Sequence, residues 1–148
     1  MQDRFKNFTL LTSKINRCIR KIKTEEMSGF NLKSAHVSCI YYLYTMHHLT
    51  AKELCDICEE DKAAVSRSLE YLEKNGFITV SSTENKKYKR TITLTKKGEE
   101  AGKRLFERIE FVLESVSEGI SDEDRAVMYR TLALISDHLQ NICDKHEN

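Results

Sequence analysis

The chain has 148 residues, of which 40% are hydrophobic, so it can build the core of one domain and is not a wholly disordered protein. The absence of proline favours a helix-rich fold, and no apolar run approaches the roughly 18 residues that cross a bilayer. The net charge is +1, but residues 62–97 hold nine Lys or Arg against three Asp or Glu, whereas residues 98–148 hold six against twelve, which indicates a polyanionic partner for the middle of the chain.

Two helices are predicted at the start of the chain. Over residues 5–27 apolar residues recur at steps of three and four, which is the spacing of an amphipathic helix, and Ser28-Gly29 ends it. A second helix is predicted roughly over residues 33–46, with Val37 and Ile40 turned inward.

Two shorter helices follow, and each has an N-cap residue in front of it. Thr50 and Glu53 match a capping box, and the helix that they open is predicted to end near Glu60. Asp61 has the chemistry to cap the next helix, for which Asn75-Gly76 is the expected left-handed stop.

After Gly76 the spacing of apolar residues changes from the helical period to alternation with polar residues. Ile78 and Val80, and later Ile92 and Leu94, alternate with polar residues, which predicts two short strands joined by a polar turn. The predicted pair of strands is a hairpin.

Two long helices complete the chain. Thr95 is predicted to cap a helix that runs to about Ser117, and Ser121 begins the last helix. That last helix carries a heptad-like apolar stripe, formed by Met128, Leu132, Ile135, Leu139 and Ile142. The order of elements predicts a mainly α fold with a small β-hairpin wing, arranged as a winged helix-turn-helix.

The second capped helix has an outward side suited to DNA. Lys62 and Arg67 supply positive charge, Ser66 supplies a hydroxyl group, and Ala63 and Ala64 allow close approach to base edges. A solvated surface helix would carry the same residues without any partner. The neighbouring short helix and hairpin favour the DNA interpretation.

The hairpin turn carries four cations, Lys86, Lys87, Lys89 and Arg90. Such a cluster fits a phosphate backbone or a narrow minor groove. The alternative is a run of charge that keeps an edge strand from aggregating.

These motifs together resemble the MarR family of bacterial transcriptional regulators, and the resemblance covers nearly the whole chain. The matching positions are Leu54, Asp61-Lys62, Val65-Ser66-Arg67, Leu72-Glu73-Lys74-Asn75-Gly76 and Leu94-Thr95-Lys96-Lys97-Gly98. One position departs from the family pattern, because the stretch that normally holds the minor-groove arginine of the wing reads Lys86-Lys87-Tyr88. Lys87, Lys89 and Arg90 are the candidates to replace it.

The resemblance implies a homodimer in one domain, residues 1–148, with a winged helix-turn-helix at 32–97 between dimerisation helices at 1–27 and 98–148. It also implies binding of double-stranded DNA at a pseudo-palindromic operator, and a repressor that responds to a small-molecule ligand. No motif of a catalytic site is present, so neither an enzyme nor a cofactor is expected.

The cysteines and histidines are the residues that could form a sensor site. Cys18 invites comparison with the peroxide-sensing branch of the family, although that branch places its cysteine further upstream on the helix. Cys55 and Cys58 form a single CxxC pair, which favours core packing over a zinc site. His36 matches one ligand of zinc-sensing relatives whose partner histidines are absent here, so no metal is expected.

The sequence therefore predicts a cytoplasmic, DNA-binding, homodimeric regulator without membrane association. Two alternatives stay open. One is a winged-helix protein-interaction module that does not bind DNA, and the other is a thiol- or metal-sensing variant of the same regulator.

Overall fold

The order of helices and strands follows the sequence prediction, with one short strand added between the second and third helices. The computed structural model describes residues 2–58, 60–81 and 90–146. Its elements are α1 (Gln2–Glu26), α2 (Ser34–Met46), β1 (Leu49–Thr50), α3 (Ala51–Ile57), α4 (Lys62–Lys74), β2 (Ile78–Val80), β3 (Thr91–Leu94), α5 (Lys96–Val116) and α6 (Asp122–His146), with a 3-10 turn at Ser28–Phe30. They form two compact units, Met1–Phe111 and Val112–Asn148, so α5 begins in one and ends in the other.

Local side-chain chemistry fixes the start of α3. The backbone amide of Glu53 donates to Thr50 Oγ1 at 3.2 Å, and the amide of Thr50 donates to Glu53 Oε2 at 2.8 Å. Two amides that the helix itself cannot use are thereby satisfied. The helix ends at Ile57, three residues before the predicted end near Glu60.

The sheet has three strands, whereas the sequence predicted two. β3 lies in the centre and pairs antiparallel with both β1 and β2, with Leu49 opposite Ile92 and Ile78 opposite Leu94. β1 is only two residues long, so alternation of apolar and polar residues could not reveal it. The wing, which we define as β2, β3 and the connecting residues 81–90, is the predicted hairpin.

The core of the first unit is built from the inward faces of the helices and one face of the sheet. Leu54 of α3, Leu72 of α4 and Leu105 of α5 are all fully buried, as are Ile40 of α2 and Ile92 of β3. Five elements therefore meet in one apolar cluster, which fixes α3 and α4 against α2.

The end of α4 and the start of α5 approach each other closely. Thr95 Oγ1 accepts from the amide of Gly98 at 3.2 Å, and the same hydroxyl donates to the carbonyl of Gly76. Gly76 itself has φ +74°, the left-handed conformation that glycine adopts without strain. A Cβ added at Gly98 would overlap the carbonyl oxygen of Phe77, so only glycine allows this approach.

Lys97 adds two contacts to the same junction. Its Nζ donates to the carbonyl of Asn75 at 2.9 Å and lies 4.1 Å from the centroid of the Phe77 ring. A cation at the C-terminal end of a helix, over an aromatic face, is favourable on both counts. We call the contacts of Asn75–Phe77 with Thr95–Gly98 the α4–α5 clasp.

A buried histidine joins the start of α2 to α4. The amide of Lys33 donates to His36 Nδ1 at 3.1 Å, and the His36 ring stacks on Tyr71 with centroids 4.2 Å apart. The Tyr71 hydroxyl donates to the carbonyl of Asn31 at 3.0 Å. Burial, and secondarily the nearby charge of Lys33, lowers the pKa of His36.

This histidine predicts a loss of stability in mild acid. The unfolded chain takes up a proton at His36 near the ordinary pKa of about 6.5, whereas the folded chain resists that proton. The free energy of unfolding should therefore fall as the pH drops below about 6.5 and level off below the folded-state pKa. Chemical denaturation at a series of pH values measures it. A His36→Phe variant should flatten the slope in this range, whereas a variant at the exposed His138 should keep it.

The second unit consists of the end of α5 and the long helix α6. Ser121 caps α6, because its Oγ accepts from the amide of Asp124 at 3.1 Å. The heptad-like stripe on α6 is largely exposed, with Leu132 41% and Ile142 53% accessible. Among the described residues, no helix is both long and apolar enough to cross a membrane.

Candidate nucleic-acid interface

The two sides of α4 divide cleanly between core and solvent. Val65, Ser68 and Leu72 are buried against the rest of the first unit. The sequence did not predict Ser68 as a core residue, although its spacing of three from Val65 and four from Leu72 is the helical signal for that position. The exposed side of the first two turns forms what we call the reading face, made of Lys62, Ala63, Ser66 and Arg67.

The start of α4 is fixed by its cap. Asp61 Oδ1 accepts from the amide of Ala64 at 2.7 Å, and the carbonyl of Asp61 accepts from the amide of Val65 at 3.0 Å. Ala64 is half-buried, so of the five residues predicted to read DNA it is the one that turns partly away. The cap holds the first turn in one orientation, which a base-reading helix requires.

The cations of the reading face are available for a partner. Lys62 and Arg67 are exposed, and in the part of the chain that the structure describes neither forms an ion pair or a side-chain hydrogen bond. By contrast, Arg104 and Arg108 both form ion pairs with Glu26. The reading face is therefore a positively charged surface with small side chains between its charges.

A groove between α3 and α4 borders the reading face, and sequence patterns gave no signal for it. Its volume is about 580 Å³, and it is lined by Ala51, Lys52, Cys55, Asp56, Lys62, Val65, Ser66 and Leu69. Lys52 is exposed and lines the same groove as Lys62, so the groove carries two lysines.

The structure describes the base of the wing. Val80 pairs with Ile92, and a hydrogen bond of 2.9 Å joins the hydroxyls of Thr79 and Thr93 across the strands. Arg90 is exposed immediately before β3. Three of the predicted wing cations, Lys86, Lys87 and Lys89, lie outside the described residues.

The candidate sensor residues are dispersed. Cys18 is exposed on α1 and Cys143 on α6, whereas Cys39 and Cys58 are buried. Cys55 is half-exposed, so the prediction of core packing for the CxxC pair holds fully for Cys58 alone. Among the described residues, no group of three His, Cys, Asp or Glu side chains could hold a metal ion.

Comparison with known sequences identifies the central part of the chain. A family model described as the MarR family matches residues 30–87. The chain is also 28% identical, over 109 residues, to YwoH of Bacillus subtilis, an uncharacterized HTH-type transcriptional regulator; the match covers 74% of this chain and 79% of that protein. A regulator of the same description from Bacillus cereus is 27% identical over 119 residues, 80% of this chain and 79% of its own.

Comparison with solved structures identifies the fold. A putative MarR family transcriptional regulator from Listeria monocytogenes, in complex with 26mer DNA, superposes with a TM-score of 0.81 at 20% identity, covering 95% of this chain and 91% of its own. S. aureus MepR in its DNA-binding conformation gives a TM-score of 0.81 at 17% identity, covering 89% and 98%. These comparisons agree on one description: residues 30–87 match the model of the MarR family, and the fold of the chain is similar to that of solved MarR family structures.

Proposed function

We propose that the protein is a sequence-specific regulator that binds double-stranded DNA as a homodimer and acts as a ligand-responsive repressor in the cytoplasm. Each subunit would place the reading face of α4 in a major groove and its wing in the adjacent minor groove. Two subunits related by a two-fold axis would read a pseudo-palindromic operator, with half-sites about one helical turn apart.

The observation that carries this proposal is the reading face itself. Lys62 and Arg67 lie exposed and unpaired, among the described residues, on a capped helix that follows the short helix α3. Arg67 can donate two hydrogen bonds to a guanine, Ser66 can bond to a base edge or a phosphate, and Lys62 suits a phosphate. The DNA in the Listeria complex and the DNA-binding conformation of MepR support this assignment by analogy.

The homodimer is supported by apolar surface that the single chain leaves exposed. On α1, Leu11 and Ile15 are 59% and 58% accessible, and Leu132, Leu139 and Ile142 of α6 are exposed too. Regular apolar stripes of this extent mark interaction surfaces, and a two-fold dimer is the commonest way to cover them. Sedimentation should give twice the mass of one chain, and a monomer that persists at micromolar concentration would contradict the proposal.

Ligand response requires a pocket that can hold an effector. The crevice between α1 and α2, beside Ile19 and Tyr42, has a volume of about 40 Å³. This is room for little more than a water molecule, whereas ligand pockets usually hold about 300 Å³ or more. An effector at this crevice must therefore open it, which would shift α2 and the helices packed on it.

DNA binding can be tested by its dependence on salt. Each phosphate that the protein neutralises lowers the logarithm of the affinity by about 0.9 per tenfold increase in salt. Two phosphate contacts in each of two subunits predict a slope of about −3.6 or steeper for a random duplex. Fluorescence anisotropy at several salt concentrations measures it. Negligible binding at low salt would instead identify a protein-interaction module.

A further inference from the structure

The groove between α3 and α4 has one wall on each helix. The wall on α3 includes residues three and four positions apart, a spacing that places them on one side of a helix: Lys52, Cys55 and Asp56. The wall on α4 repeats this spacing with Lys62, Val65, Ser66 and Leu69. Lys62 and Ser66 also belong to the reading face, so the groove and the reading face form one continuous surface.

Each wall of the groove presents an unpaired cation. Lys52 is exposed in the first turn of α3 and Lys62 in the first turn of α4, and within the described ranges neither side chain forms an ion pair or a hydrogen bond. The groove also has an apolar part, because Val65 is buried and Cys55 and Leu69 are half-buried. Cations next to apolar side chains suit a deoxyribose-phosphate chain, whose phosphates are anionic and whose sugar carbons are apolar.

We propose that the α3–α4 groove seats one strand of the DNA backbone, with Lys52 as a phosphate contact on the wall opposite Lys62 and Asp56 as a charge that repels misplaced phosphates. This inference rests on the proposed function, because it extends the same DNA contact beyond the reading face. A volume of about 580 Å³ lies in the range of sites that enclose small molecules, so it can admit a segment of one strand. When a recognition helix enters the major groove, the helix before it crosses the backbone.

Contacts from two helices fix the orientation of α4 on the duplex. A single cation on α4 would hold a phosphate but leave the helix free to turn about that contact. A second contact from α3 removes this freedom, because α3 and α4 are packed together through the apolar cluster that contains Leu54 and Leu72. Phosphate contacts set the register of a protein on DNA, whereas base contacts carry the sequence information. Lys52 is therefore a positioning residue for Arg67.

Asp56 gives the groove a means of discrimination. Its carboxylate is exposed one turn after Lys52 and forms no ion pair among the residues that the structure describes. A phosphate that approaches this part of the groove meets a like charge, which disfavours that placement of the duplex. A strand held at Lys52 and Lys62 is in register, so the repulsion acts mainly on other placements. Asp56 therefore lowers the affinity for random duplex more than the affinity for the operator.

The salt dependence of binding to a random duplex, followed by fluorescence anisotropy, tests both charges. Lys52→Ala should lower the magnitude of the salt slope by about 1.8, because each of two subunits loses one phosphate contact that contributes about 0.9. Lys52→Arg should restore the slope. Asp56→Asn should tighten binding about fivefold at low salt and change it little at high salt, where the repulsion is screened. Lys74→Ala is the control, and its slope should equal that of the unsubstituted chain. An unchanged slope in Lys52→Ala, or binding that Asp56→Asn does not tighten, would overturn the proposal.

The thiol of Cys55 reports occupancy of the groove directly. In a variant with Cys18→Ser and Cys143→Ser, Cys55 is the one remaining cysteine that is not buried, since Cys39 and Cys58 are. N-ethylmaleimide should alkylate Cys55 in the free protein, and saturating random duplex should slow this reaction several-fold. Equal rates with and without duplex, or a Cys55 that does not react at all, would contradict a strand seated in the groove.

The outcomes for the unsubstituted chain separate this inference from the proposed function. If the unsubstituted chain binds no duplex even at low salt, the proposed function is refuted. If it binds, but Lys52→Ala keeps the full salt slope and duplex does not protect Cys55, the groove contact alone is refuted and DNA binding through the reading face stands.

Discussion

Replacement of Gly98 by alanine is expected to lower the free energy of unfolding by about 2 kcal/mol, the range found when atoms are forced into a packed site. The added methyl group would overlap the carbonyl oxygen of Phe77 and press against Leu94. A backbone carbonyl cannot rotate away as a side chain can, so α5 must shift. The helix propensity of alanine returns up to about 1 kcal/mol, which does not offset the overlap. For a chain of this size the midpoint of thermal unfolding should fall by about 4–8 °C.

Gly29 provides the matched control for this substitution. A Cβ at Gly29 meets no atom within 4 Å, and its φ lies outside the left-handed region. Gly29→Ala should therefore leave stability unchanged or raise it by a few tenths of a kcal/mol. Both variants should be measured at one protein concentration, because the stability of the proposed homodimer would depend on it. Equal stability of the two variants would contradict the close approach of α5 to Phe77.

Replacement of Arg67 by alanine is expected to produce the largest loss of operator affinity among single substitutions on the reading face. A bidentate contact with guanine contributes about 1–3 kcal/mol to discrimination between bases. Because the proposed homodimer would present two copies of Arg67, the dissociation constant should rise by at least about tenfold. The loss should be greatest for the operator and smaller for random duplex, since it removes base contacts more than phosphate contacts. Titration of both duplexes at one salt concentration measures the difference.

The control for Arg67 lies on the same helix. Lys74 is exposed in the last turn of α4, so Lys74→Ala removes the same charge from the end of the helix away from the reading face. Its effect on operator affinity should be small and equal for both duplexes. If Lys74→Ala and Arg67→Ala weaken operator binding equally, α4 contributes only general charge and does not read the sequence.

The parts of the fold that sequence predicted are those governed by local chemistry. Thr50 and Asp61 begin helices and Gly76 ends one, because caps and left-handed stops depend on residues within a few positions of each other. The periodic stripes on α1 and α6 were visible for the same reason.

The features that sequence did not predict depend on contacts between distant residues. β1 forms because Leu49 pairs with Ile92, which lies 43 positions later in the chain. The stacking of His36 on Tyr71 needs the packing of one helix on another. Periodicity carries no information about which residues of two elements will meet.

For the candidate site, the sequence predicted which residues are exposed on α4 but not the shape of the surface around them. The exposure of Lys62, Ser66 and Arg67 follows from helical periodicity once Val65 and Leu72 are assigned to the core. The groove between α3 and α4 could not be anticipated, since it depends on the angle between two helices that no local pattern specifies. Arg90 lies at the base of the wing, while the assignment of the wing lysines remains a prediction.

The α4–α5 clasp has a mechanical consequence. Thr95 and Lys97 tie the first residues of α5 to the carbonyls of Gly76 and Asn75, and Gly98 leaves no gap between the helix and the chain beneath it. Such a junction has no slack to absorb rotation. A rotation of the start of α5 would therefore be transmitted to the C-terminal end of α4, because the connection between the two helices would not bend.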